Sequence, residues 1–136
     1  MEKLDSNGQF IDNLIVSDES TFTLDGLVSA QNDRIWAMEN PHLYQETKSF
    51  SKKLTIWVAM SSSFVIGPYL FRDEARDPCT VTGDCYVKMQ REYLVPELRR
   101  KRVTLRNTFF QQDLATHHTS GIAQQFLETK FGERLI

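Results

Sequence analysis

The sequence predicts an α/β domain in which helices cover one mixed β-sheet. Two runs rich in β-branched and aromatic residues stand only three serines apart, and two later segments carry apolar residues at helical spacing. The predicted order is strand, hairpin, helix, strand, helix and short strand, which is typical of helices packed on a mixed sheet. The chain has 136 residues, 40% of them hydrophobic and 25% charged, so it can bury the core of one globular domain.

The first half of the chain predicts three strands. The segment FIDNLIVSDE predicts a strand over residues 10–19, because its apolar run ends at a polar pair. A polar excursion of about twenty residues follows, and long excursions in compact domains are often functional. The next two runs, KLTIWVAM (53–60) and FVIGPYLF (64–71), predict an antiparallel hairpin closed by three serines.

The second half predicts two helices around one more strand. A helix is expected from near Thr82, and Pro96 should kink or shorten it. A strand is expected over residues 104–112, and the next helix should be capped by Thr119 or Ser120. A C-cap at Gly132 and the start of a last strand in GERLI complete the pattern. The residues of the two apolar helix faces are Tyr86, Met89, Tyr93 and Leu94, then Ile122, Ala123, Phe126, Leu127 and Phe131.

Charge and cysteine content narrow the function classes only slightly. Sixteen basic and eighteen acidic residues give a net charge of −2, which neither requires nor excludes a nucleic-acid partner. The basic run RRKR (99–102) could contact DNA phosphates or direct nuclear import, but a solvated helix end is the favoured interpretation. Cys79 and Cys85 are expected to be free thiols, since a zinc site would need two more ligands. Neither a signal peptide nor a membrane-spanning stretch is indicated.

Two aspartates, Asp18 and Asp113, share a context: each follows an apolar strand and precedes a polar stretch. If the two strands are parallel neighbours, both carboxylates lie at one end of the sheet, where their repulsion requires a proton or a cation. Mg²⁺ prefers hard oxygen ligands of this kind. Spacing alone favours the simpler alternative, in which each aspartate caps a turn or a helix.

Four motifs in order, SDESTF, QNDRIWAMENPH, VIGPYLF and FFQQDLATHHT, resemble the catalytic domain of mariner-superfamily transposases over residues 10–136. The resemblance implies a ribonuclease H-like fold and three acidic catalytic residues that bind two divalent metals. Its first two acidic positions fall on Asp18 and Asp113, with Mg²⁺ or Mn²⁺ as the expected metal. Glu19 should point to the opposite face from Asp18 and is assigned no role.

The sequence departs from the family pattern at two places. Leu114 replaces the small residue that relatives usually carry after the second aspartate, and the third carboxylate would lie beyond Ile136. Glu128 and Glu133 fall too early to replace it. We therefore expect residues 1–136 to form a partial catalytic domain, with a sheet incomplete at the C-terminus and no separate helix-turn-helix domain.

The resemblance implies a metal-dependent DNA strand transferase by ancestry, with weak metal binding and no strand transfer by this chain alone. Transposon-end DNA is the implied partner, a homodimer is compatible with the resemblance, and the implied location is the nucleus, or the cytoplasm without import. The alternative is a non-catalytic nucleic-acid or protein-binding module that retains the fold. His118 matches a histidine of relatives but is expected to be structural or exposed, and Trp36 and Trp57 are expected in the core.

Overall fold

The computed structural model describes residues 9–23, 36–40, 52–113, 115, 118 and 120–136. Most of the predicted excursion, together with Leu114, His117 and Thr119, lies outside these residues. The described strands form one four-stranded sheet in the order β3-β2-β1-β4. Their bounds are Leu14–Thr23 (β1), Lys53–Met60 (β2), Val65–Leu70 (β3) and Phe109–Gln111 (β4).

The first strand has the predicted length of ten residues but is shifted by four positions towards the C-terminus. A helical turn, α1 (Gln9–Asp12), occupies the predicted strand start, because Phe10 packs against Phe109 at a ring-centroid distance of 4.8 Å and its carbonyl accepts the Asn13 N–H. Beyond the predicted end, β1 pairs with β2 as far as Thr23. Asp18 consequently lies within a strand and not at its end.

The predicted hairpin and the parallel pair are both confirmed. Strands β2 and β3 are antiparallel, and the Ser61 N–H donates to the Phe64 carbonyl across the serine turn. Strand β1 lies between β2, to which it is antiparallel, and β4, to which it is parallel. The hairpin thus extends the sheet on the side of β1 away from β4, as the sequence predicts.

The first long helical segment begins where predicted, but Pro96 does not shorten it. Thr82 caps α2 (Gly83–Met89), and the chain continues through a π-helical turn, Gln90–Leu94, into α3 (Val95–Arg100). In a regular α-helix the proline ring would clash with the carbonyl four residues earlier. The π turn shifts the ladder, with the Val95 N–H bonded to the Gln90 carbonyl, so the helix accommodates the proline.

The last strand before Asp113 is much shorter than predicted. A 3₁₀ turn, Leu105–Asn107, replaces the first half of the expected strand and leaves β4 with three residues. Ser120 caps α4 (Gly121–Phe131), and Gly132 follows as the predicted C-cap with a positive φ of 58°. Only a single parallel bridge, from Phe110 to Leu135, represents the expected last strand.

The core lies between one face of the sheet and the helices. Phe110 of β4 stacks on Phe131 of α4 at a centroid distance of 5.0 Å, which fixes α4 behind the strand that leads to Asp113. Trp57 is completely buried, as predicted, but Trp36 is 92% exposed, so the core prediction for Trp36 is wrong. The other large buried side chains include Ile15, Ile66, Phe71, Tyr86, Met89, Leu94, Leu98 and Leu127.

Candidate active site

The parallel register of β1 and β4 places the two predicted aspartates at equivalent positions. The last paired residues are Val16 and Gln111, and each aspartate follows its paired residue by two positions. Asp18 and Asp113 both border one cavity of about 610 Å³, together with Lys53 and Thr55 of β2 and other residues. The two aspartates therefore share a cavity, as the sequence analysis requires of a common site.

The two aspartates are held differently. Asp18 is exposed on β1, and its Oδ1 accepts the N–H of Glu19 at 2.8 Å. The Asp113 side chain is 59% exposed, and its Oδ1 accepts the N–H of Ala115 at 3.0 Å. Asp113 thus shapes a local turn but does not cap α4, because Ser120 accepts the capping bond from Ala123. The turn-cap alternative holds in part for Asp113 and fails for Asp18.

A buried histidine joins Asp113 to a carboxylate that the sequence analysis left without a role. The Nδ1 atom of His118 lies 2.6 Å from Asp113 Oδ1 and 3.1 Å from the Asp113 carbonyl oxygen. Its Nε2 atom lies 2.6 Å from Glu19 Oε1. His118 is completely buried, and its ring packs on Tyr86 at 4.4 Å between centroids.

These contacts fix how the histidine uses its nitrogens. The Asp113 carbonyl can only accept a hydrogen bond, so Nδ1 donates, and Nε2 lies within hydrogen-bond distance of the Glu19 carboxylate. Burial lowers the pKa of His118. The hydrogen bond and charge of Glu19, together with the oxygens of Asp113, raise this pKa by more than burial lowers it, so the net shift is upward. With Nδ1 directed towards Asp113 and Nε2 towards Glu19, both ring nitrogens of His118 are engaged within the protein.

The cluster of three potential metal ligands found among the described residues differs from the predicted pair. Ligand atoms of Glu19, Asp113 and His118 all lie within 4.8 Å of one another, whereas Asp18 stands outside this group. The alternation of side chains along β1 correctly predicts that Glu19 faces away from Asp18, towards the buried side. Glu19 and His118 lie 99 positions apart in the sequence, so no local sequence pattern predicts their contact.

The other residues with a candidate role form no second cluster of three potential metal ligands among the described residues. Arg99 and Arg100 lie in the last turn of α3, and Arg100 pairs with Glu97 at 2.7 Å, in agreement with a solvated helix end. Glu128 and Glu133 are both exposed. The two cysteines are free thiols, as expected, and within the described residues no helix is long and apolar enough to cross a membrane. The residues Arg34, His42 and His117 lie outside the described part of the chain.

Solved structures similar to this chain include those of the Mos1 mariner transposase. The paired-end complex with Mn matches at a TM-score of 0.61 with 23% identity, over 88% of this chain and 34% of that chain. The catalytic domain with raltegravir and Mg gives 0.59 and 22%, over 90% and 48%. The strand transfer complex gives 0.57 and 25%, over 88% and 33%. No family model matches the sequence, and the comparison with curated proteins gave no match.

The fold is thus of the ribonuclease H-like class, with an antiparallel hairpin and a parallel pair in one sheet flanked by helices. The predicted resemblance to the mariner-type transposase catalytic domain is confirmed at the level of this fold. The chain spans between about a third and a half of the length of the Mos1 chains that it matches.

Proposed function

We propose that this chain is a transposase-derived domain built for metal-dependent phosphoryl transfer on DNA. The observation that carries the proposal is the placement of Asp18 and Asp113 at equivalent positions of adjacent parallel strands, beside one open cavity. The fold shared with Mos1 structures supports it, since those include a paired-end complex and a strand transfer complex. The implied substrate is a DNA phosphodiester, and the implied location is the nucleus.

The donor set fits a divalent metal. Asp18 and Asp113 offer hard carboxylate oxygens beside a cavity with room for water and a phosphate, which is the environment that Mg²⁺ prefers. When bound, such a metal lowers the pKa of a water and neutralises charge on phosphate oxygens. With two aspartates as its protein ligands, binding should be weak, and Mn²⁺ should bind more tightly than Mg²⁺.

The side chains around the cavity indicate what this chain contributes to the reaction. Lys53, at the start of β2, provides a cation at the cavity wall for a DNA phosphate. Thr21 and Thr55 bond to each other at 3.0 Å through their hydroxyls and form a polar wall beside it. Water, and then a DNA 3′ hydroxyl, would attack a phosphorus atom held against this wall, and in each step the bond from phosphorus to the 3′ oxygen of the attacked strand would break to release a 3′ hydroxyl.

Metal titration of the intact chain tests the site. We expect Mn²⁺ binding in wild type, followed by electron paramagnetic resonance, to be abolished in Asp18→Asn/Asp113→Asn. Glu133→Gln is the matched control, because Glu133 is an exposed carboxylate outside the cavity lining. Equal affinity in wild type and the double variant would exclude this site. Unchanged binding in Asp18→Asn would remove Asp18 from the site.

A further inference from the structure

We propose that His118 is a positioning residue for the metal-binding carboxylate Asp113, which it ties to Glu19 on the central strand. This inference rests on the proposed function. It assigns to Glu19 and His118 the task of holding one ligand in place, without contact with metal or substrate. On one side of the completely buried ring, Nε2 lies at a hydrogen-bond distance of 2.6 Å from Glu19 Oε1. On the other side, Nδ1 lies 2.6 Å from Asp113 Oδ1 and is hydrogen-bonded to the Asp113 carbonyl oxygen at 3.1 Å.

Asp113 needs such support because the sheet does not hold it. Strand β4 has only three residues and ends at Gln111, so Asp113 lies beyond the last ladder pair. Its side chain is 59% exposed and would otherwise change rotamer freely. Within the described residues, the contacts that hold its carboxylate are the Ala115 N–H and His118 Nδ1, both on Oδ1.

Glu19 is suited to be the fixed end of the bridge. It lies on β1, an inner strand that is paired on both sides, directly opposite the completely buried Trp57. Its side chain is 8% exposed, and a carboxylate so buried is stable only with a partner. The bridge therefore connects a metal ligand that lies beyond the end of β4 to an inner strand of the sheet, as outer partners do for ligands at metal sites.

Tyr86 fixes the ring from a third direction. Its ring packs on the imidazole at 4.4 Å, and its hydroxyl donates to Gln112 Oε1 at 2.9 Å, the residue directly before Asp113. Burial raises the pKa of Tyr86, so it remains a neutral donor. Tyr86 thus contacts both His118, which lies beside the Asp113 carboxylate, and Gln112, which precedes Asp113 in the sequence.

Two substitutions of His118 separate positioning from packing. An asparagine amide nitrogen lies near the place of Nδ1 and can still donate to Asp113, whereas a glutamine nitrogen lies near Nε2 and reaches towards Glu19. We expect His118→Gln, which loses the contact with Asp113, to weaken Mn²⁺ binding about tenfold or more. His118→Asn keeps that contact but loses the tie to Glu19, so it should weaken binding by an intermediate amount, about threefold. A role in packing alone would favour the opposite order, because glutamine replaces the lost volume better.

A second measurement needs no metal. Amide exchange of Ala115, whose N–H donates to Asp113 Oδ1, reports on the position of the carboxylate. We expect much faster exchange in His118→Gln and a smaller increase in His118→Asn, which loses only the tie to Glu19. Equal behaviour of the two variants in both measurements, or unfolding of both, would overturn the positioning role. Should wild type bind no Mn²⁺, the proposed function fails, while the exchange result still decides whether His118 holds Asp113.

Discussion

At the scale of single residues, the neighbouring carboxylates of Asp18 and Glu19 have opposite environments because strand side chains alternate. Asp18 is exposed beside the cavity, whereas Glu19 is nearly buried and bonded to His118. The sequence alone predicts the alternation and the candidate ligand Asp18. It does not predict the histidine bridge, since the partners of a buried carboxylate are set by packing between distant segments.

The backbone conformation at Gly67 leads to a prediction about stability. Its φ is +119°, and a Cβ there would lie 2.9 Å from the Trp57 carbonyl oxygen, which belongs to the backbone and cannot move aside cheaply. We expect Gly67→Ala to reduce the free energy of unfolding by about 1–3 kcal/mol in urea denaturation. The control is Gly121→Ala at the first residue of α4, where an added Cβ meets nothing within 4 Å. A larger loss in the control would contradict this account.

Cys79 makes a prediction about pH. Burial raises the pKa of its thiol, and the neighbouring Cys85 raises it further. Only the thiolate is alkylated, so with Cys85→Ser as background Cys79 should react roughly threefold or more slowly in the folded protein than in urea near pH 8. The difference should shrink as the pH rises through the folded-state pKa. Equal rates near pH 8 would show that burial does not suppress the thiolate.

At the scale of secondary-structure elements, the local sequence pattern predicts whether an element is a helix or a strand better than it predicts where that element begins and ends. The hairpin is correct because both strands and the serine turn carry their own signals. The strand predicted over residues 104–112 is wrong for its first half, where a 3₁₀ turn forms instead. Thr108 shows one reason: its hydroxyl donates to the Thr104 carbonyl at 3.0 Å and closes the turn locally.

Pro96 supplies the prediction for the helices. Because the π turn already moves the ladder away from the proline, Pro96→Ala should change the free energy of unfolding by less than about 1 kcal/mol. By contrast, Lys88→Pro in the regular helix α2 should cost about 3 kcal/mol or more. Urea denaturation of both variants provides the measurement. An increase of about 3 kcal/mol in the free energy of unfolding of Pro96→Ala would mean that the proline strains the helix.

At the scale of the whole molecule, the two faces of the sheet differ. One face carries the core and the helices, and its burial explains why fold class, strand order and most core residues follow from hydrophobic pattern. Trp36 is the clearest failure, since composition favours a buried tryptophan and the structure exposes it. The shared cavity of Asp18 and Asp113 is predictable from strand order. The orientation of each carboxylate is not, because it depends on contacts with other segments of the folded chain.

The other face presents an apolar row across three strands. Val16 pairs with Met60, and Met60 pairs with Val65, so the three side chains lie side by side with exposures of 38%, 54% and 58%. Exposed apolar rows on a sheet favour association between chains, and β3 is an edge strand of the described sheet. We therefore expect this chain to self-associate as its concentration rises, measured by sedimentation equilibrium.

Two threonine substitutions test whether the row causes the association. Met60→Thr/Val65→Thr keeps residues that favour strands but removes apolar area, so it should lower the association constant about tenfold or more. Ile122→Thr on α4 is the control, because Ile122 is 55% exposed and lies on a helix, away from this row. We expect the control to associate like wild type. An equal reduction in both variants would assign the association to general surface hydrophobicity, and a wild-type chain that stays monomeric would show that the row alone does not drive pairing.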